Sequence, residues 1–305
     1  MQANSIHSPS PIIRSYSIEE VTPYINWIYF FHAWGFQPCY AAIAHIHGCD
    51  ACRAMWLAQF PEKERSKAAE AMQLFKEANR MLHKLDEEGF LTHALFHLME
   101  ANSEENDLWL EDTRFPLLRQ QTIREGENYL CLADFVRPRS QNIPDKVGLF
   151  ATNTDAQMEN LYPDDAYQRM LVQTLADRLA EATAEKLHEE VRKHHWGYAP
   201  DESLTMRQLH NEEFQGIRPA VGYPSLPDQS VNFILDELLD MKQIGIRLTE
   251  NGMMMPHASV SGLMMAHPAS RYFGVGKIDE EQLKDYASRR GMQVDEMRRF
   301  LGTNL

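Results

Sequence analysis

No apolar run in this chain approaches the ~20 residues needed to cross a bilayer, and its first twenty residues lack the basic-then-apolar order of a signal peptide. These absences exclude a membrane span and make a cytoplasmic location the expectation. Only four cysteines occur in 305 residues. That is too few for a disulfide framework, so they read as reduced thiols, core residues or ligands. Basic residues are also scarce: 30 Lys and Arg stand against 44 Asp and Glu, a formal charge of −14. Such a balance repels phosphate backbones unless a local basic patch intervenes. The densest basic stretch, Arg192-Lys193-His194-His195, follows the acidic Glu189-Glu190, so nucleic acid is excluded as a partner. The acidity itself reads as solubility or as a preference for partners with basic faces. Neither a P-loop nor a convincing catalytic triad is present, and no repeat, low-complexity block or linker divides the chain.

What is present is enough apolar sequence, 44% of residues, to build a well-buried core. Residues 1–16, rich in Ser, Pro and Asn at the start, read as a flexible leader. Ser17 with Glu20 forms a capping-box pattern, and Val21, Ile25, Ile28 and Phe31 at helical spacing predict a first helix running to Trp34 despite Pro23. The apolar stripes predict long helices over Glu62–Glu88 and Asp165–His194, and shorter ones over 231–243, 279–290 and 294–301. Tyr129–Val136, Val147–Asn153, Arg271–Ile278, Asp107–Glu111 and Ile246–Thr249 read as strands. Long helices separated by clustered strands, without βαβ alternation, predict an α+β fold: a single domain over 17–305 with a mainly antiparallel sheet.

The densest group of unusual residues is Gly216–Asp228. Three prolines and two glycines there forbid regular structure and leave backbone amides free, as in a tight chain crossing or a binding site. Arg218 offers a planar fork for a carboxylate, and Tyr223 a ring face with a hydroxyl.

Arg218-Pro219-Ala220-Val221-Gly222-Tyr223-Pro224 resembles the R-P-A-P-G-Y-P signature of the activation domain of cobalamin-dependent methionine synthase, with Val221 in place of the second proline. Collinear with it are Tyr24-Ile25-Asn26-Trp27, Arg119-Gln120-Gln121, Cys131–Val136, Leu175–Ala182, Trp196–Pro200 and Ala258–Gly262, each similar to a stretch of that family. The resemblance covers about 20–305 and implies a twisted antiparallel sheet flanked by long helices. It also implies a shallow S-adenosylmethionine site in which Arg218, Ala220, Gly222 and Tyr223 of the signature, Glu181, and the aromatic pair Tyr272 and Phe273 contact the cofactor. The family's Y-I-D-W block reads Y-I-N-W here, so Asn26 replaces an acidic contact and brings an amide without charge. Another departure is an insertion at about 38–60 containing His45, His47, Cys49 and Cys52. H-x-H-x-C-x-x-C has ligand types compatible with zinc, and C-x-x-C can be redox-active. The apolar setting and the lack of a distant second ligand pair favour buried or incidental residues, so no metal is expected.

The function implied by the resemblance is reductive reactivation. The domain would present S-adenosylmethionine to inactive cob(II)alamin while a flavodoxin-like protein supplies an electron, so no nucleophile or base of its own is needed. The sequence contains no D-x-H-x-x-G cobalamin-ligand motif. The expectation is therefore action in trans on the cobalamin-binding module of a separate methionine synthase. The alternatives are a non-catalytic S-adenosylmethionine sensor or assembly protein that kept the fold, and a metal-dependent enzyme resting on the Cys/His cluster.

Overall fold

A computed structural model describes residues 10–122, 126 and 128–305. Its strands, in chain order, are β1 (Ile12–Ser17), β2 (Leu91–Glu104), β3 (Asp107–Leu110), β4 (Thr113–Pro116), β5 (Asp145–Thr154), β6 (Arg247–Leu248), β7 (Met254–Met255) and β8 (Ser259–Met264). The helices are α1 (Ile18–Val21), α2 (Trp27–Ala33), α3 (Asp50–Ala58), α4 (Glu62–Glu87), α5 (Ala166–Glu190), α6 (Met206–His210), α7 (Val231–Leu239), α8 (Glu280–Arg290) and α9 (Val294–Phe300). The six-stranded sheet runs β4-β3-β2-β5-β8, with β1 also on β2, and all its pairings are antiparallel. The α+β reading with an antiparallel sheet is borne out.

The organising element is β2. One of its edges pairs with β5 from Thr92↔Thr154 to Ala101↔Asp145, while β1 and β3 divide the other edge between them. Successive residues feed opposite faces, as the pleat requires. Ala94, Phe96 and Phe150 enter a core with α4 and α5, whereas Leu95, Leu149, Ala151 and Leu263 enter a second core with α7. A third cluster joins α8 and α9 through Leu283, Tyr286 and Met297.

Several helix expectations hold at their starts to within a residue, and α4 and α8 also at their ends, while α5 stops at Glu190 and its expected continuation, Val191–His195, widens into a π turn. Glu62–Glu87 is one helix, Asp165 caps α5 by accepting from the Gln168 N–H, and Asp279 and Gly291 bracket α8. Elsewhere the structure differs. The leader reading fails at Ile12–Tyr16, which belongs to β1, because its backbone finds ladder partners along β2; residues 1–9 lie outside the described residues. The single helix expected over Ser17–Trp34 is three pieces. The Ser17–Glu20 capping box starts α1, Pro23 tightens the chain into a 3-10 turn, and extended Ile25 and Asn26 precede α2. Pro23 brings no N–H to continue the ladder, and Asn26 then caps the next helix by accepting from the Ile28 N–H at 3.1 Å.

Tyr129–Val136 is not a strand: Leu132–Phe135 forms a 3-10 turn, closed by Asp134 accepting from the Cys131 N–H. Arg271–Ile278 is irregular as well, its course interrupted by Gly274 and by Gly276 at φ +73°. Inside the expected insertion, a 3-10 stretch Pro38–His45 leads into α3, and Tyr40, Ile43 and Trp56 are buried against α4 and α2.

Candidate functional site

The break at Pro23–Asn26 matters because it turns Tyr24, Asn26 and Tyr29 toward the middle of α5. There they form one wall of a cleft of about 720 Å³. The floor is α5, contributing Arg178, Glu181, Ala182 and Glu185, and the far wall is the Arg218–Ser225 loop with Tyr272, Phe273 and Gly274.

The loop is held against β8 in a short antiparallel run. Ile217 and Met265 exchange backbone hydrogen bonds at 2.9 Å, the Leu263 N–H donates to the Pro219 carbonyl, and the Val221 N–H donates to the Ser261 carbonyl. Glycine at 262 is what permits this approach: a Cβ there would stand 2.2 Å from the Pro219 carbonyl oxygen and 2.9 Å from Ala220 Cα. Gly222, at φ +85°, makes the turn that follows, its N–H donating to the Leu226 carbonyl. The other end of the wall is fixed by Gln120, which donates to the Gly274 carbonyl at 2.8 Å, and by Val275, whose N–H donates to the Pro224 carbonyl.

Two charge relays cross the cleft. Arg218 Nη2 donates to Glu185 Oε2 at 2.5 Å, and the Arg218 backbone N–H donates to the Tyr272 hydroxyl at 2.9 Å. Arg178 donates to Glu181 Oε2 at 2.6 Å, while the Tyr223 hydroxyl donates to Glu181 Oε1 at 2.8 Å. Burial works against the Arg218 charge, but Glu185 overrides it and holds the guanidinium above its ordinary pKa. Burial and then Glu181 push the Tyr223 hydroxyl up, and burial does the same to Tyr272, so both hydroxyls are neutral at physiological pH. Arg218 Nε and Glu185 Oε1 find no protein partner although both are buried. Behind them His188 is fully buried with neither ring nitrogen bonded, its ring edge-on to Phe214. Burial, with Arg192 and Arg218 adding to it, holds its pKa well below the ordinary value, so it is neutral.

Of the residues singled out from sequence, Asn26, Glu181, Arg218, Ala220, Tyr223, Tyr272 and Phe273 all line this one cleft. Gly222 does not line it, and its part is the turn. Asn26 presents its amide with the oxygen already engaged by its capping bond. Sequence reasoning missed Glu185, Arg178, Tyr24 and Tyr29. A signal for Glu185 did exist: Glu181 and Glu185 stand four apart, on one helix face, in an otherwise small and apolar stretch. Of the four Cys/His candidates, His47, Cys49 and Cys52 come together and His45 does not. Cys49 Sγ lies against Cys52 Sγ, and the neighbouring Cys52 and then His47 side chains lower its thiol pKa to about 7.

The described residues contain no helix long and apolar enough to cross a membrane. A solved structure, "Crystal Structure of the MetH Reactivation Domain bound to AdoHcy", is 37% identical in sequence and superposes with a TM-score of 0.85, covering 98% of this chain and 91% of that one. Residues 17–291 match the family model described as "Vitamin B12 dependent methionine synthase, activation domain". This chain therefore belongs to the activation domain family of vitamin B12-dependent methionine synthases.

Proposed function

We propose that the cleft binds S-adenosylmethionine and presents it to a cobalamin held by a methionine synthase module, supporting reductive methylation of inactive cob(II)alamin. The observation that carries this reading is the cleft's mixed charge. Arg218 and Arg178 alternate with Glu185 and Glu181 along one wall and the floor, a pattern matched to a ligand with a carboxylate, an ammonium and a sulfonium. Tyr29, Tyr223 and Phe273 offer ring faces for the cationic centre and the adenine.

When bound, the ligand supplies an electrophilic methyl for transfer to cobalt. The chain's own residues bind and orient. Arg218 is positioned for the carboxylate, Glu181 and Glu185 for positive charge, and the aromatic rings limit water on the closed side of the cleft. No described side chain needs to act as nucleophile or base for this step. A flavodoxin-like donor would supply the electron.

Titration calorimetry with S-adenosylmethionine and S-adenosylhomocysteine tests the binding half, with one site per chain expected. The reactivation half is tested by adding the chain, S-adenosylmethionine and reduced flavodoxin to a cob(II)alamin methionine synthase that lacks an activation domain, and following the cobalamin spectrum. Methylcobalamin should accumulate only when the chain is present. Binding without any spectral change would favour the sensor reading. Asn26 gives that reading its support, since it leaves the cleft without the acidic group of its family block.

A further inference from the structure

Away from the cleft, the described residues hold one group of three potential metal ligands: His47, Cys49 and Cys52, with donor atoms all within 4.8 Å of one another. Cys49 is the residue that caps α3, and Cys52 lies in its first turn. The C-x-x-C spacing therefore turns both sulfurs to one side of the helix start, and the Gly48 link brings the His47 imidazole over them. The Cys52 N–H donates to Cys49 Sγ at 3.1 Å, the kind of bond that spreads the charge of a metal-bound thiolate. Both cysteines are half-buried free thiols, and His47 is exposed.

We infer that His47, Cys49 and Cys52 bind one zinc ion through an imidazole nitrogen and two thiolate sulfurs, with solvent completing a tetrahedron. The donor set is soft and contains no carboxylate, which selects zinc over calcium or magnesium. In a tetrahedral site with Zn–S near 2.3 Å, the sulfurs stand roughly 3.8 Å apart. The two sulfurs are 2.7 Å apart here, so they separate by about 1 Å to share the ion. A disulfide would use the two sulfurs and leave the imidazole idle; the third donor is what favours a metal. Both sulfurs bind as thiolates, any thiol protons they still carry go to solvent, and no electrons move. Such an ion clips the Ile46–Gly48 turn to α3. That fixes a segment otherwise held by Tyr40 and Trp56 packed on Phe60, with ring centroids 5.3 and 4.8 Å apart. The expectation of buried or incidental residues rested on the apolar setting and the lack of a distant ligand pair; Cys49 and Cys52 are only half-buried, His47 is exposed, and the local triad needs no distant pair.

The test uses the reduced full chain, zinc chloride and desalting, with metal content read by mass spectrometry and thiols by a maleimide label. One zinc per chain should be retained. It should protect Cys49 and Cys52 while exposed Cys39 remains labelled as an internal control. Cobalt(II) in place of zinc should give thiolate charge-transfer and tetrahedral ligand-field bands. Cys49→Ser and Cys52→Ser should each lose the stoichiometric zinc. The inference is overturned if the wild-type thiols label equally fast with and without zinc, or if a Cys49→Ser/Cys52→Ser chain still holds the ion. It is equally overturned if the chain takes up no zinc and instead loses two hydrogens in air as a disulfide. The wild-type labelling result stands even where a variant fails to fold.

Discussion

Replacing Arg218 by Ala separates what this residue does for the fold from what it does for a ligand. The Arg218 and Glu185 side chains retain only 17% and 11% of their exposure and meet at 2.5 Å. Breaking a buried pair from one side costs about 3–5 kcal/mol, mostly from the charge left behind. Because this pair borders an open cleft, the lower end, about 3 kcal/mol, is the expected loss of stability in Arg218→Ala. Adding Glu185→Gln removes the stranded charge, so the double variant should recover half or more of that loss. Ligand affinity should not recover. A charge-assisted contact of about 1.5–3 kcal/mol corresponds to roughly tenfold to 150-fold in dissociation constant. Urea unfolding followed by tryptophan fluorescence gives the first quantity, and titration with S-adenosylhomocysteine gives the second. If the single variant is as stable as the parent, the pair contributes nothing to the fold. If the double variant binds like the parent, Arg218 does not touch the ligand and the site assignment is wrong.

Asn26→Asp should keep the cap of α2, since the two residues cap equally well, and should tighten S-adenosylmethionine binding by about 1–2 kcal/mol in calorimetry; a weaker complex would show that the amide suits its neighbours better. Gly262→Ala should destabilise by about 2–3 kcal/mol and weaken ligand binding together, because its Cβ collides with Pro219 and Ala220; an unchanged melting temperature would contradict the close approach. His188, whose pKa is depressed in the fold, takes its proton first in the unfolded chain. Its contribution is present above about pH 6.5 and lost as pH falls, by at most ~1.4 kcal/mol per unit. His188→Leu should therefore flatten the acid side of the stability curve measured by denaturant titration between about pH 7 and 5, and an unaltered slope would mean that His188 does not titrate on unfolding.

The parts of the fold legible in the sequence were those governed locally. The stripe and caps of α4, α5 and α8 announce themselves within a few turns. Strand β2 does not: Leu91–Glu104 is rich in Leu, Ala, His, Met and Glu, which favour helix as much as strand. Because both its faces are covered, it also lacks simple alternation, and its long-range partners β1 and β5 decide its form. The signature loop stood out because proline and glycine constrain the chain by themselves. Glu185 did not, since its role depends on Arg218, far along the chain and brought near only by the loop's seat on β8. Tyr24 and Tyr29 were hidden by reading one helix through Pro23, which in fact interrupts it. The Cys49–Cys52 spacing was visible at once, but whether His47 or His45 joined it depended on how the chain turns at Gly48.

The seat of the Arg218 loop on β8 has a bearing on solubility. β8 ends the sheet, and its Ser259–Met264 backbone would otherwise offer an open edge of apolar, charge-free sequence to another chain. Ile217–Val221 occupies that edge, so the segment that shapes the ligand cleft also guards against strand addition. Substitutions that loosen the loop should therefore lower soluble yield as well as affinity, and a ligand that holds the loop down should protect the chain from aggregation.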